Sequence, residues 1–309
     1  MPPIDYEKEY DNRGRVPEHP EIFARWQREA AAYREGARNA ELGLRYGPSP
    51  RQSIDLFPAK NRNLDDDEMT PLALFIHGGW WRSLEPAMFS QLAAGPNARG
   101  VTVAVAGYDF CPQVSIATII DEMRAACLWL WRRQRKRILV YGHSAGGHLA
   151  ACLLAQDWQA FASDAPADLV PAAYAISGVF DLSPLVQVSQ NQDLRLDAAE
   201  ARRVSPLHWK VPAGRTLDAV VGALESSEFL RQSRIIADHW RARGVATRYE
   251  EIAGMNHFTM VDALGDADSA MTARVVELAM LVHGSAIWRR LRTNSGAQSP
   301  QSKLRPRRR

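Results

Sequence analysis

The chain has few cysteines: three in 309 residues, an odd number, with no C-x-x-C pair among them. Cys111, Cys127 and Cys152 therefore offer neither a disulfide framework nor a thiolate metal cluster. Cys127 and Cys152 fall in apolar helical stretches, where a thiol behaves as a small buried hydrophobe. No H-E-x-x-H sequence occurs. His143 and His148 stand five apart, off a common helical face, so neither a metal nor another cofactor is expected. No apolar run approaches the ~20 residues of a membrane span. Residues 1–7 lack the basic and apolar regions of a signal peptide, and the expected location is cytoplasmic. Excess charge of one sign is also scarce. The formal charge is +3, but Lys303, Arg305, Arg307, Arg308 and Arg309 crowd the last seven residues, and taking those five away leaves −2. A near-neutral body excludes an electrostatic nucleic-acid or membrane surface. The expected partner is a small molecule, and a second copy of the chain is the one macromolecular partner admitted.

What is present is ordinary for a globular protein: 46% hydrophobic and 24% charged residues, enough for one large core. Strand-like runs stand at 53–57, 71–76, 101–106, 137–141, 172–177, 217–222 and 246–252. Helical patterns at 86–99, 116–133 and 227–243 fall between them. Such alternation predicts an α/β architecture, a mostly parallel central sheet of about eight strands with helices on both faces. Residues 1–44 read as a helical N-terminal extension with an amphipathic stretch at 20–40. Residues 45–288 read as the main domain, and 289–309 as a basic, disordered tail. Residues 61–68 read as a polar turn. Residues 181–212, polar and broken by Pro184, Pro206 and Pro212, read as a small cap insertion over the site.

Chemistry enters with Gly142-His143-Ser144-Ala145-Gly146, a G-x-S-x-G pentapeptide between a strand and a helix. A serine on that sharp turn is held with its hydroxyl above the sheet, and the next N–H opens a helix. Upstream, the apolar run 71–76 ends in His77-Gly78-Gly79-Trp80-Trp81. Glycines at a strand end leave amides open, so Gly78 and Gly79, with Ala145, are candidate oxyanion donors. In the α/β-hydrolase order, acid and base follow the serine in that sequence. Among the histidines beyond the nucleophile helix, His257 follows a strand and the Gly254-Met255-Asn256 turn, at the sheet edge where sites of open α/β folds lie. It is the expected general base. The acid is Glu225, the first carboxylate after strand 217–222, or Asp181, after strand 172–177. Glu228 suits a first helical turn.

His77-Gly78-Gly79-Trp80-Trp81 resembles the H-G-G-x-W motif of the serine-dependent kynurenine formamidases (arylformamidases), α/β-hydrolases near the hormone-sensitive-lipase-like esterases. Further resemblance lies in Gly142 to His148, Ser177 to Leu182, Ser205-Pro206-Leu207, and Val220 to Ser233, within residues 45–285. In that family the acid is usually Asp, and Glu225 stands at the matching position. The resemblance implies an α/β-hydrolase fold and hydrolysis of N-formyl-L-kynurenine to kynurenine and formate through Ser144, His257 and Glu225. Trp80, Trp81 and Tyr108 are then candidates for an aromatic wall around the leaving group. A carboxylesterase for short acyl esters shares every one of these motifs. A non-catalytic binding protein on the same scaffold is disfavoured, because nucleophile, base and acid are all in place.

Overall fold

The computed structural model describes residues 3–37, 39–60 and 70–294, with side chains up to 284. Eight strands form one sheet: β1 (Glu41–Arg45), β2 (Ser53–Phe57), β3 (Leu72–Ile76), β4 (Thr102–Ala106), β5 (Ile138–His143), β6 (Ala172–Ile176), β7 (Thr216–Gly222) and β8 (Ala246–Ile252). Their spatial order is β1-β2-β4-β3-β5-β6-β7-β8. β2 runs antiparallel to both β1 and β4, and every other pairing is parallel. β3, β4, β5 and β6 are buried at every position, as strands covered on both faces must be.

The period of two divides the core. Leu72, Leu74 and Ile76 join one hydrophobic cluster and Ala73 and Phe75 the other. On the first face pack α5 (Ile116–Gln134), α6 (Ala145–Leu154) and α10 (Ser227–Arg241). On the second pack α3 (His19–Gly36) and α11 (Ala270–Asn294). Asp218 of β7 faces this second cluster, and Arg274 of α11 neutralises it with bonds of 2.7 and 3.2 Å. α3 is fastened by Trp26, 1% exposed, whose indole N–H donates to Asp262 at 2.8 Å.

Several boundaries differ from expectation. The sheet begins at Glu41, inside the segment read as an extension, because β1 pairs with β2 despite its exposed pattern. The helix expected over 86–99 is a 3-10 turn, Pro86–Ala93, followed by α4 (Ala94–Ala98). The division falls between Ala93 and Ala94, and Pro96 lies in the first turn of α4, where its missing N–H costs no intrahelical bond. α11 runs to Asn294, past the expected boundary at 288. Before α3 stand two short helices, α1 (Tyr6–Tyr10) and α2 (Asn12–Arg15), each capped by an aspartate: Asp5 accepts from Lys8 N and Asp11 from Gly14 N. α7 (Trp158–Phe161) follows the nucleophile helix. Residues 181–212 contain α8 (Asn191–Leu194) and α9 (Ala198–Arg203) between 3-10 turns. This segment packs on α6, where His148 Nε2 donates to Val204 O at 2.7 Å. All three cysteines are buried and unbridged. Among the described residues no helix is long and apolar enough to cross a membrane. The 61–68 turn and residues 295–309 of the expected tail lie outside the described residues.

Candidate active site

β5 ends and α6 begins on either side of Ser144, whose φ of 57° and ψ of −118° put it in a region rarely occupied by side-chain-bearing residues. The sharpness depends on Gly146. A Cβ there would stand 1.9 Å from Ile76 O, so only glycine lets the helix start this close to β3. The turn is pinned by Ser144 N donating to Ile176 O at 2.8 Å.

Ser144 Oγ lies 3.1 Å from His257 Nε2. The other ring nitrogen, Nδ1, lies 2.7 Å from Glu225 Oε2. The carboxylate accepts from Nδ1–H, which leaves Nε2 to accept the serine proton. Glu225 is itself fixed: Oε1 accepts from Ser177 Oγ at 2.5 Å and from Gly222 N at 2.8 Å. All three residues of the line are buried, at 9%, 4% and 6% exposure for Ser144, His257 and Glu225. Removal from water strengthens each of these contacts. Asp181, the other candidate acid, is engaged elsewhere. Its N–H donates to Gln232 Oε1 at 2.9 Å and its carboxylate accepts from Ser183 N at 3.1 Å.

The glycine turn after β3 lies against the nucleophile. A Cβ on Gly78 would stand 2.9 Å from Ser144 Cβ and from His143 O. His77 is fully buried, stacked on Tyr108 with ring centroids 4.5 Å apart, and its Nδ1 donates to Gly78 O at 2.7 Å. Tyr108 Oη donates to His77 O at 2.9 Å. In a planar trans peptide the carbonyl and the next N–H point oppositely. Anchoring Gly78 O on the His77 side therefore turns the Gly79 N–H away from it. Burial lowers the His77 pKa to about 4, so the ring is neutral at pH 7.

A narrow cleft with a cavity volume of about 90 Å³ lies over Ser144. Trp80, Leu84, Phe23, Trp26, Phe89 and Phe258 supply its apolar lining. Of the three aromatics expected in a wall, Trp80 lines the cleft, whereas Trp81 and Tyr108 do not. Both are 1% exposed and lie outside that lining. Trp80 and Trp81 both have positive φ, 58° and 53°. The resulting turn sends Trp80 toward Tyr10, ring centroids 6.2 Å apart, and Trp81 into the core against His148 at 5.0 Å.

Three contributions were not read from the sequence. His143, the variable residue of the pentapeptide, donates from Nε2 to His257 O at 2.8 Å and holds the base's backbone. Burial, then the neighbouring His257, hold its pKa well below the ordinary histidine value. Ser177, with φ 50°, orients Glu225. Residues Tyr10 to Arg13 form part of the cleft wall, beside Gln190 of the 181–212 segment already expected over the site. Their only local signals were the capping aspartates Asp5 and Asp11.

A strand-turn-helix serine with a buried histidine–carboxylate pair behind it belongs to a defined class, and comparison with known proteins agrees. The family model for the alpha/beta hydrolase fold matches residues 73–261, and the chain belongs to that family. It is an enzyme of the serine hydrolase type. It is 28% identical to the kynurenine formamidase of Salmo salar over 80% of this chain and 86% of that one. It is also 28% identical to the kynurenine formamidase of Drosophila melanogaster, over 76% and 81%. A solved structure from Silicibacter sp., described as a thioesterase candidate, superposes with a TM-score of 0.79 at 27% identity, covering 88% of this chain and 99% of that one.

Proposed function

We propose that the protein is an arylformamidase that hydrolyses N-formyl-L-kynurenine to L-kynurenine and formate. The observation that carries the chemistry is the Ser144–His257–Glu225 line, with contacts of 3.1 and 2.7 Å. His257 takes the Ser144 proton as Oγ attacks the formyl carbonyl. The amides of Gly78, Gly79 and Ala145 hold the oxyanion. The protonated His257, stabilised by Glu225, passes its proton to the departing aryl amine. Water, deprotonated by His257, then releases formate from Ser144. The formamide assignment is supported by the kynurenine formamidases that match over more than three quarters of both chains. The aromatic cleft around Trp80, Phe23 and Trp26 suits an aryl leaving group.

A second reading, a carboxylesterase acting on short acyl esters, draws on the same line of residues and on the thioesterase candidate. Steady-state hydrolysis of N-formyl-L-kynurenine beside p-nitrophenyl acetate, with Ser144→Ala as the blank, separates the two. Strong preference for the formamide is the expected result. Ester turnover with negligible formamide turnover moves the protein to the esterases. Wild-type turnover by Ser144→Ala overturns the mechanism itself.

A further inference from the structure

The cleft wall contributed by residues 11–13 is polar. Asp11, Asn12 and Arg13 are consecutive and all line the cleft. Asn12 is only 5% exposed, yet its Oδ1 has no hydrogen-bond partner among the described residues. A buried amide left unsatisfied costs free energy that a ligand can recover. Arg13 is exposed and forms no ion pair among the described residues; its guanidinium lies 5.9 Å from the Phe23 ring, itself part of the lining. The other cation of the wall, Arg82, is already neutralised by Asp193. Asp11 uses Oδ1 to cap Gly14 N at 2.9 Å. The same short run thus offers an unpaired cation, a buried amide and a carboxylate, next to an apolar chamber that ends at Ser144.

We propose that residues 11–13 form the recognition site for a zwitterionic amino-acid arm on the leaving group. Arg13 takes the arm's carboxylate, the Asn12 amide hydrogen-bonds the arm beside it, and Asp11 supplies the counter-charge for its ammonium. The inference rests on the hydrolase reading above and extends it from the scissile bond to the far end of the substrate. Charge-assisted contact of a guanidinium with a carboxylate is among the stronger polar interactions available at such a wall.

The test uses matched substrates with and without the arm. N-formyl-L-kynurenine is compared with N-formyl-2-aminoacetophenone, the same aryl ketone lacking the amino acid, in wild type, Arg13→Ala and Arg13→Lys. The expected result is a roughly tenfold fall in the kcat/KM ratio, armed over armless, in Arg13→Ala. The fall should lie mainly in KM, with most of it recovered in Arg13→Lys. An unchanged ratio, or an equal fall in both variants, overturns the proposal. If wild type hydrolyses neither formamide, the formamidase reading fails on its own. The same ratio is then taken with 4-acetoxybenzoate over phenyl acetate: a fall in Arg13→Ala supports a carboxylate site at Arg13, and an unchanged ratio overturns it.

Discussion

At Ser144 the backbone itself stores energy. A side-chain-bearing residue at φ 57° and ψ −118° costs roughly 1–3 kcal/mol. Ser144→Ala keeps that strain, whereas Ser144→Gly releases it at a smaller entropic cost. Thermal unfolding of the two inactive variants should therefore differ, with Ser144→Gly the more stable by about 1 kcal/mol. Equal midpoints would mean the turn is relaxed. Glu225 offers a second test. Glu225→Gln keeps size and most contacts but loses the charge that stabilises the imidazolium, and its amide presents the wrong partner to Nδ1. A fall in kcat of roughly three to four orders of magnitude, with KM little changed, is expected in steady-state assays. A loss under tenfold would assign Glu225 a structural part only.

At the scale of elements, α3 is the piece whose loss is easiest to read. Trp26 joins it to the second face of the sheet and donates to Asp262. Trp26→Ala should cost about 3–5 kcal/mol in denaturant unfolding, and should also reduce turnover because the same ring lines the cleft. A loss below 1 kcal/mol would mean that α3 is not part of the cooperative fold. β2 to β8 were legible because each is an apolar or alternating run bounded by turn residues, long enough to exceed chance. β1 was not, because four of its five positions are exposed and its alternation rests on only two leucines, Leu42 and Leu44, around Gly43. α1 and α2, five and four residues long, are shorter than any helical period can register. The nucleophile stood out because it follows a strand directly, and the base because it follows a strand and a single turn. The choice between Glu225 and Asp181 needed tertiary contacts, since both follow strands. Two adjacent tryptophans at positive φ defeat any rule relating neighbours to faces, and so Trp81 was read into the cleft.

For the whole molecule, proton linkage sets the direction of acid sensitivity. Burial lowers His77 and His148 to about 4 and holds His143 well below its ordinary value. The unfolded chain binds protons at these sites near pH 6.5 and the folded chain does not. Their contribution is therefore complete above about 6.5 and lost progressively as pH falls toward 4, at about 1.4 kcal/mol per pH unit for each group. Burial raises Glu122, which acts in the opposite sense as a single group. Denaturant midpoints should thus fall as pH drops from 6.5 to 4, and His148→Gln should flatten the slope. A midpoint that rises on acidification would contradict the burial of these rings. Another whole-chain consequence follows from Tyr10, whose hydroxyl donates to Glu228 at 3.0 Å across 218 residues. α1 finds this docking surface only once α10 has been made. Such long loop closure places this contact late in folding. A chain cut short before α10 would carry Ser144 in its turn but neither His257 nor the surface on which Tyr10 docks, so base and wall are completed together.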